Sequence, residues 1–253
     1  MPKDLRISIV QSILHWEQVD TNLEMFDAKL APLKGQTDLI VLPEMFTTGF
    51  SMKAEVLAES MDGPTVHWMR AKAKALDTAV TGSLIIQENG RYYNRLIWVE
   101  ADGRMATYDK RHLFTLAGEH QYYTAGQERL VVDYKGWKIC PLVCYDLRFP
   151  VWSRNTVDYD LLIYVANFPA RRSLAWKSLL QARAIENLAY TIGVNRVGSD
   201  ENGIYYSGDT SLIDYEGNIC YQKADEEAVY SLNLSYEAQQ SFRQRYNFLA
   251  DRD

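Results

Sequence analysis

Short runs of apolar residues that lack polar alternation constrain the fold of this chain more than any other feature. Runs of this kind are typical of strands that are buried on both faces, which occur where helices cover a sheet. The predicted strands of this type are residues 7–10, 38–42 and 161–165. Amphipathic segments with helical spacing separate them, at residues 22–33, 65–76 and 174–188. The pattern predicts an α/β fold.

The other predicted elements fit a layered arrangement of mixed sheets. Turn residues at 101–103 and 135–136 indicate two hairpins, formed by strands 91–100 and 104–108 and by strands 130–133 and 138–143. Further strands are predicted at residues 79–86, 190–194, 210–214 and 229–234, and a polar helix at 236–246. Interleaved strands and helices favour a layered sandwich. Eight regular βα repeats are missing, so a TIM barrel is the less favoured alternative.

The charge balance and the cysteine count indicate which partners and which cellular compartment to expect for the chain. The sequence has 27 Lys+Arg and 33 Asp+Glu, a net charge of −6. Such a chain lacks the basic field that collects phosphates, so we expect neither nucleic acid nor a membrane as a partner. No run approaches the roughly 20 apolar residues that cross a bilayer. Three cysteines are too few for a disulfide framework. These features predict a cytoplasmic protein with free thiols.

Motifs for common cofactors and metals are missing. No Gly-x-Gly-x-x-Gly follows a strand, and neither a Walker A loop nor a Gly-x-Ser-x-Gly elbow occurs. The four histidines form no His-x-x-x-His or His-x-His pair, so no zinc site is predicted. We therefore expect side chains alone to carry any chemistry, without a metal or a cofactor.

Three strand ends place reactive side chains where loops open a crevice in layered α/β folds. Glu44 follows a buried strand that Pro43 stops, and it is either a general base or a solvated loop carboxylate. Lys110 follows a hairpin, as an oxyanion-stabilising cation or as ordinary surface charge. Cys144 ends an apolar strand, where backbone N–H groups would favour its thiolate. Cys140 and Cys220 are interpreted as buried strand residues.

Taken in order, these segments resemble the nitrilase (carbon–nitrogen hydrolase) superfamily. The matching segments are Pro43-Glu44-Met45-Phe46, Lys110-Arg111-His112-Leu113-Phe114, Gly118-Glu119, Cys144 to Pro150, Ala166-Asn167-Phe168-Pro169, 182–187, 195–198 and 208–211. The resemblance spans nearly the whole chain. It implies one carbon–nitrogen hydrolase domain over residues 1–253, folded as a four-layer α-β-β-α sandwich that dimerises through its α layers. It also implies a catalytic triad of Glu44, Lys110 and Cys144, with Glu119 as an additional active-site glutamate.

Three segments are similar to the ω-amidase branch of that superfamily. They are residues 44–51, 194–198 and 242–249. The resemblance implies hydrolysis of the terminal amide of short dicarboxylic acid monoamides, such as 2-oxoglutaramate or 2-oxosuccinamate, to acid and ammonia. The alternatives are an aliphatic amidase, an N-carbamoyl hydrolase, a nitrilase, or a catalytically dead interaction protein.

The residue types suggest a role for each group in such a reaction. Cys144 would attack the amide, Glu44 would carry the proton, and Lys110 with the Tyr145 backbone N–H would hold the oxyanion. A second substrate carboxylate needs a cation, for which the candidates are Arg171, Arg172 and Arg196. The candidates for the walls of the substrate pocket are Phe46, Phe114 and Phe168, each of which would otherwise be core.

Overall fold

The computed structural model describes residues 3–252, and within them the chain forms thirteen strands in two sheets. The strands are β1 (Leu5–Gln11), β2 (Leu39–Val41), β3 (Ala79–Glu88), β4 (Arg91–Val99), β5 (Met105–Asp109), β6 (Val132–Tyr134), β7 (Trp137–Val143), β8 (Leu161–Ala166), β9 (Tyr190–Asn195), β10 (Val197–Ser199), β11 (Tyr205–Ile213), β12 (Ile219–Ala224) and β13 (Ala228–Leu234). The first sheet has the order β13-β1-β2-β3-β4-β5. The second has the order β10-β11-β9-β8-β7-β6, with β12 beside β11.

Each sheet has a parallel centre and antiparallel edges, as the mixture of crossovers and hairpins predicts. β1, β2 and β3 are parallel, and β7, β8 and β9 are parallel in the other sheet. The carboxyl ends of parallel neighbours meet at one edge of a sheet, where loops can form a crevice. β9 and β10 share one register against β11, with Gly193 opposite Ser211 and Val197 opposite Ser207, so they form one strand that is interrupted at Arg196.

Helices cover the outer faces of both sheets. The helices of the described chain are α1 (Val19–Leu30), α2 (Ala54–Leu57), α3 (Pro64–Leu76), α4 (Pro150–Ser153), α5 (Ser173–Asn187) and α6 (Tyr236–Tyr246), of which α2 and α4 are single turns. Phe26 of α1 and Met69 of α3 pack in one core cluster with Ile40 and Leu42, whereas Leu39 and Val41 belong to the cluster between the sheets. The alternation follows from the pleat, because successive side chains of a strand point to opposite faces.

Helix α5 approaches the second sheet closely because of a glycine. A Cβ at Gly193 would lie 2.4 Å from Leu180 and 2.6 Å from Trp176, so only glycine allows this contact. The layers are therefore helix, sheet, sheet, helix, and the predicted α-β-β-α sandwich is confirmed.

Most predicted elements are present with boundaries shifted by a few residues, but one prediction about a cysteine is wrong. Cys220 lies in β12 and is exposed, because β12 is an edge strand whose side chains largely face solvent. Cys140 is buried in β7 as predicted, and all three thiols are free. Among residues 3–252, no helix is long and apolar enough to span a membrane.

Candidate active site

The loops that follow β2, β5, β7 and β8 bring the three predicted triad residues together. Glu44 lies three residues beyond β2, Lys110 directly follows β5, and Cys144 directly follows β7. Both sheets therefore supply part of the site. Lys110 is buried, so its interpretation as ordinary surface charge is wrong.

The amine of Lys110 binds two carboxylates at once. Lys110 Nζ donates to Glu44 Oε1 at 2.9 Å and to both oxygens of Glu119, at 3.0 and 2.9 Å. All three side chains are completely buried. Burial alone would lower the pKa of Lys110, but the charges of Glu119 and Glu44 outweigh it and raise that pKa. The lysine is therefore a permanent cation of the site.

The two glutamates have different surroundings. Glu44 Oε2 accepts a hydrogen bond from the Asn167 backbone N–H at 2.8 Å, and its main-chain oxygen accepts one from Asn167 Nδ2 at 2.6 Å. Glu119 Oε2 accepts one from the Phe114 N–H at 2.5 Å. Burial raises the pKa of Glu119, Lys110 lowers it in part, and the charge of Glu44 raises it further. The Glu119 carboxyl group is thus a weaker acid than a solvated glutamate.

Cys144 occupies a strained position at the start of a 3-10 turn, Cys144–Arg148. Its φ is +46°, a conformation that residues with a Cβ rarely adopt. Such strain persists only where the surrounding structure over-determines it, and it clusters at functional sites. The turn directs the thiol towards Glu44, and the residue is 9% exposed.

The expectation that backbone N–H groups favour a Cys144 thiolate is wrong. Burial raises the pKa of the Cys144 thiol well above its usual value, the charge of Glu44 raises it further, and Lys110 only partly offsets these effects. The resting group is therefore a neutral thiol that needs a base. Burial also raises the pKa of Cys140 to about 12.

Asp146 braces the cysteine turn, a role that the sequence reasoning missed. Asp146 Oδ2 accepts from the Val143 N–H at 3.0 Å and from the Tyr108 hydroxyl at 2.7 Å. Asp146 Oδ1 accepts from the His112 N–H at 2.9 Å. The carboxylate thereby ties the loop after β7 to the segment around Lys110. The available signal in the sequence was an acidic residue two positions after the candidate nucleophile.

A cavity of about 260 Å³ opens beside Cys144. Four predicted pocket residues line it, and they are Phe114, Phe168, Arg171 and Arg172. Lys110, Tyr145, Asn167 and Tyr206 line it too, together with Arg148, which the sequence reasoning did not select. The position of Arg148 four residues after Cys144 could have suggested it.

Arg172 is the best-placed cation of this pocket. Its guanidinium carbon lies 4.8 Å from the Phe114 ring centre and 5.8 Å from that of Phe168. Burial lowers the pKa of Arg172, and the neighbouring charges of Arg171 and Arg148 lower it further. Among the side chains of residues 3–252, no carboxylate forms an ion pair with any of these three arginines.

Two residues proposed as substrate contacts lie elsewhere. Phe46 does not line the cavity, because it packs in the core between the first sheet and its helices, with its ring 5.5 Å from that of Phe26. Arg196 is also buried outside the cavity wall. It donates to the carbonyl oxygens of Leu14 and Ser199 and lies 4.7 Å from the Tyr206 ring centre. Arg196 therefore supports the pocket wall from behind. Within the described part of the chain, no group of three or more His, Cys, Asp or Glu side chains could hold a metal ion.

Comparison with known proteins defines the class to which this fold and site belong. The carbon–nitrogen hydrolase family matches residues 7–244, and the chain belongs to that family. It is accordingly a hydrolase of carbon–nitrogen bonds, as the resemblance of its motifs implied.

Three proteins are similar to this chain over nearly the whole length of both chains. The chain is 47% identical over 250 residues to the omega-amidase YafV of Escherichia coli K12, covering 98% of this chain and 97% of the relative. It is 30% identical over 243 residues to a 2-oxoglutaramate amidase of Bacillus subtilis, covering 94% and 93%. A CN-hydrolase superfamily protein of Xanthomonas campestris, which has an arsenic adduct in its active site, superposes with a TM-score of 0.97 at 47% identity, covering 99% of this chain and 97% of that one.

Proposed function

We propose that this protein is an ω-amidase that hydrolyses the terminal amide of short dicarboxylic acid monoamides of the 2-oxoglutaramate or 2-oxosuccinamate type. One observation carries the proposal: the cavity beside Cys144 is lined by three arginines and by no carboxylate. An anionic substrate with its amide at Cys144 fits this charge pattern. The names of the relatives from E. coli and B. subtilis support the same substrate class.

The first half of the reaction uses Cys144 and Glu44. The sulfur of Cys144 bonds to the amide carbon while the thiol proton passes to Glu44, which faces it. The carbonyl electrons move to oxygen, where Lys110 and the Tyr145 N–H hold the oxyanion. Glu44 then gives the proton to the leaving nitrogen, the carbon–nitrogen bond breaks, and ammonia departs from a thioester.

The second half repeats the chemistry with water. Glu44 takes a proton from a water molecule whose oxygen attacks the thioester carbon, and the same two donors hold the new oxyanion. Collapse of this intermediate breaks the carbon–sulfur bond, and Cys144 recovers the proton. Glu119 contacts Lys110 through both of its oxygens. We assign to Glu119 the orientation of the amide nitrogen during the first half.

The substrate carboxylate is assigned to Arg172, with Arg171 and Arg148 at the rim. Like charges this close raise the energy of the empty pocket, which a bound anion relieves. A guanidinium also binds a carboxylate through two parallel hydrogen bonds. Phe114 and Phe168 flank Arg172 and limit the directions that its side chain can take.

An ammonia-release screen tests the proposal. Its substrates are 2-oxoglutaramate, succinamate, glutarate monoamide, simple aliphatic amides, N-carbamoyl amino acids and nitriles. We expect kcat/KM to be highest for the dicarboxylate monoamides. Preference for a simple amide, a carbamoyl compound or a nitrile would assign the chain to an aliphatic amidase, an N-carbamoyl hydrolase or a nitrilase. Inactivity towards all of them would favour the catalytically dead interaction protein.

The remaining assignments are part of the same proposal. We assign residues 1–253 to one carbon–nitrogen hydrolase domain and the protein to the cytoplasm, where a reducing medium keeps Cys144 free. We further assign a homodimer through the α layers. Leu174 and Ile185, which are exposed on α5, support that interface. The resemblance to the family also implies that the C-terminal residues 247–253 cross this interface; Asp253 lies outside the described residues. A monomeric mass in solution would exclude the dimer.

A further inference from the structure

Asn94 of β4 is a buried amide that touches both active-site carboxylates. Its Nδ2 donates to Glu44 Oε1 at 2.8 Å and to Glu119 Oε1 at 3.3 Å. Its main-chain oxygen accepts from the Lys110 N–H at 3.0 Å. Asn94 therefore contacts three of the four charged or reactive residues assigned to the site, although it lies outside the segments on which the resemblance to the family rests.

The orientation of the amide is fixed by Ser83. The Ser83 oxygen accepts from the Met45 N–H at 2.9 Å, so its hydroxyl hydrogen is free to donate to Asn94 Oδ1, 2.8 Å away. With Oδ1 held there, the NH₂ group faces the carboxylates and can give one hydrogen to each. The reverse orientation would set an amide oxygen against two carboxylates and leave Ser83 without an acceptor.

The charges of the site explain why an uncharged hydrogen-bond donor such as Asn94 stabilises the two carboxylates. Glu44 and Glu119 share a single cation, Lys110, and all of these groups are buried. A buried carboxylate stays ionised only where hydrogen bonds or opposite charge compensate for lost water. The Cys144 thiol and the Tyr123 and Tyr206 phenols also interact with Glu44, and none of these three groups is a cation.

We infer that Asn94 is a positioning residue that keeps Glu44 ionised as the base for Cys144. Its two hydrogen bonds take the place of the second cation that two ionised carboxylates would otherwise need. The inference rests on the proposed role of Glu44. A test that needs no substrate separates the two: the rate at which iodoacetamide alkylates Cys144, measured against pH. In that step sulfur bonds to carbon, iodide leaves, and Glu44 receives the thiol proton.

The experiment uses a Cys220→Ala background, because the exposed Cys220 thiol would also react. Asn94→Ala removes a hydrogen bond to the ionised form of Glu44. The acidic limb of the alkylation profile should therefore move to higher pH by about one unit, so that the rate at any given pH on that limb falls about tenfold. Asn94→Asp has the same shape but adds a third carboxylate, so a larger shift in the same direction is expected.

A buried asparagine elsewhere provides the matched control. Asn22 donates to the carbonyl oxygens of His15 and Thr47 and touches no carboxylate. Asn22→Ala should lower the melting temperature and leave the acidic limb in place. Ser83→Ala, which keeps both carboxylates and the amide, should fold even if the Asn94 variants do not, and it should give a smaller shift in the same direction.

If the Asn94 variants fold and their acidic limbs are unchanged, the inference is overturned and Asn94 is a structural residue. If the Asn94 variants do not fold, an unchanged acidic limb in Ser83→Ala overturns it in the same way. A shifted limb in a protein that releases no ammonia from any monoamide would uphold it while refuting the proposed substrate class.

Discussion

The Tyr108 hydroxyl donates a 2.7 Å hydrogen bond to Asp146 and thereby joins the two sheets directly behind Cys144. Tyr108 lies in β5, two residues before Lys110, and Asp146 lies in the turn that begins with Cys144. The same hydroxyl oxygen accepts from Trp152 Nε1 at 3.0 Å and from the Arg111 N–H at 3.2 Å. The contact therefore ties the segment that carries Lys110 to the turn that carries Cys144.

Tyr108→Phe should therefore lower kcat as well as stability. It leaves buried partners unpaired, which costs about 1–3 kcal/mol in the free energy of unfolding. Tyr164→Phe is a suitable control, because the Tyr164 hydroxyl is also buried but bonds to Ser153, 2.6 Å away. The control should lose stability and keep kcat. Equal kcat in both variants, from steady-state ammonia release, would show that the Tyr108 contact is only structural.

Replacement of each cysteine tests the choice of nucleophile. Cys144→Ala should abolish turnover with the circular dichroism spectrum unchanged, because no other thiol lies in the cavity. Cys140→Ala and Cys220→Ala should remain active. If either of these two is folded but inactive, the nucleophile has been assigned to the wrong residue.

Glu44→Gln tests the base. The amide keeps the size of the side chain but cannot take the thiol proton, so kcat/KM should fall by about 10²–10⁴. Iodoacetamide should also react more slowly with Cys144, because its thiol pKa is already raised by burial. Alkylation at the wild-type rate would mean that another group activates the thiol.

Arg172→Ala tests recognition of the substrate carboxylate. We expect kcat/KM for dicarboxylate monoamides to fall about tenfold or more, since hydrogen bonds to charged groups contribute about 1.5–3 kcal/mol. Simple amides should be unaffected. Arg196→Ala is the matched control, since that arginine is buried outside the cavity wall, and it should reduce stability more than substrate preference. Unchanged preference in Arg172→Ala would remove Arg172 from the assignment.

Asp38 gives a prediction about acid stability. Burial would raise its pKa, but hydrogen bonds from Arg6 and Lys135 outweigh burial and lower that pKa to about 2. A lowered folded-state pKa stabilises the fold above the usual value of 3.8, and this contribution is lost as pH falls towards 2. Asp38→Asn should therefore melt below the wild type at pH 7, with the difference shrinking between pH 4 and 2. A constant difference in thermal melts would contradict this.

The sequence allowed the strand ends and the clustering of Glu44, Lys110 and Cys144 beside them to be predicted, because motifs keep their spacing and parallel strands bring their ends together. It did not predict that the Phe46 side chain packs in the core and not in the cavity wall. Met45 has a φ of +42°, and this turn directs the next side chain into the core beside Phe26. A single sequence contains no signal for such a reversal at a non-glycine residue.

Arg196, Cys220 and Asn94 were mispredicted or missed for other reasons. Arg196 interrupts the strand formed by β9 and β10, and its guanidinium donates to the carbonyl oxygens of Leu14 and Ser199. Cys220 lies on an edge strand, and strand patterns do not reveal which strands form the edge. Asn94 lies in the middle of a strand, where only the fold brings Glu44 and Glu119 to its side chain.

The sharing of one lysine by two buried glutamates has a consequence for product release. On the proposed mechanism, hydrolysis turns an uncharged amide into a new carboxylate directly beside Glu44 and Glu119. The substrate enters that end of the cavity without a charge, whereas the product leaves it as an anion facing like charges at close range. The arginines, by contrast, hold the distal carboxylate of substrate and product alike. Hydrolysis therefore weakens binding only at the amide end of the cavity, and the acid is released from that end first.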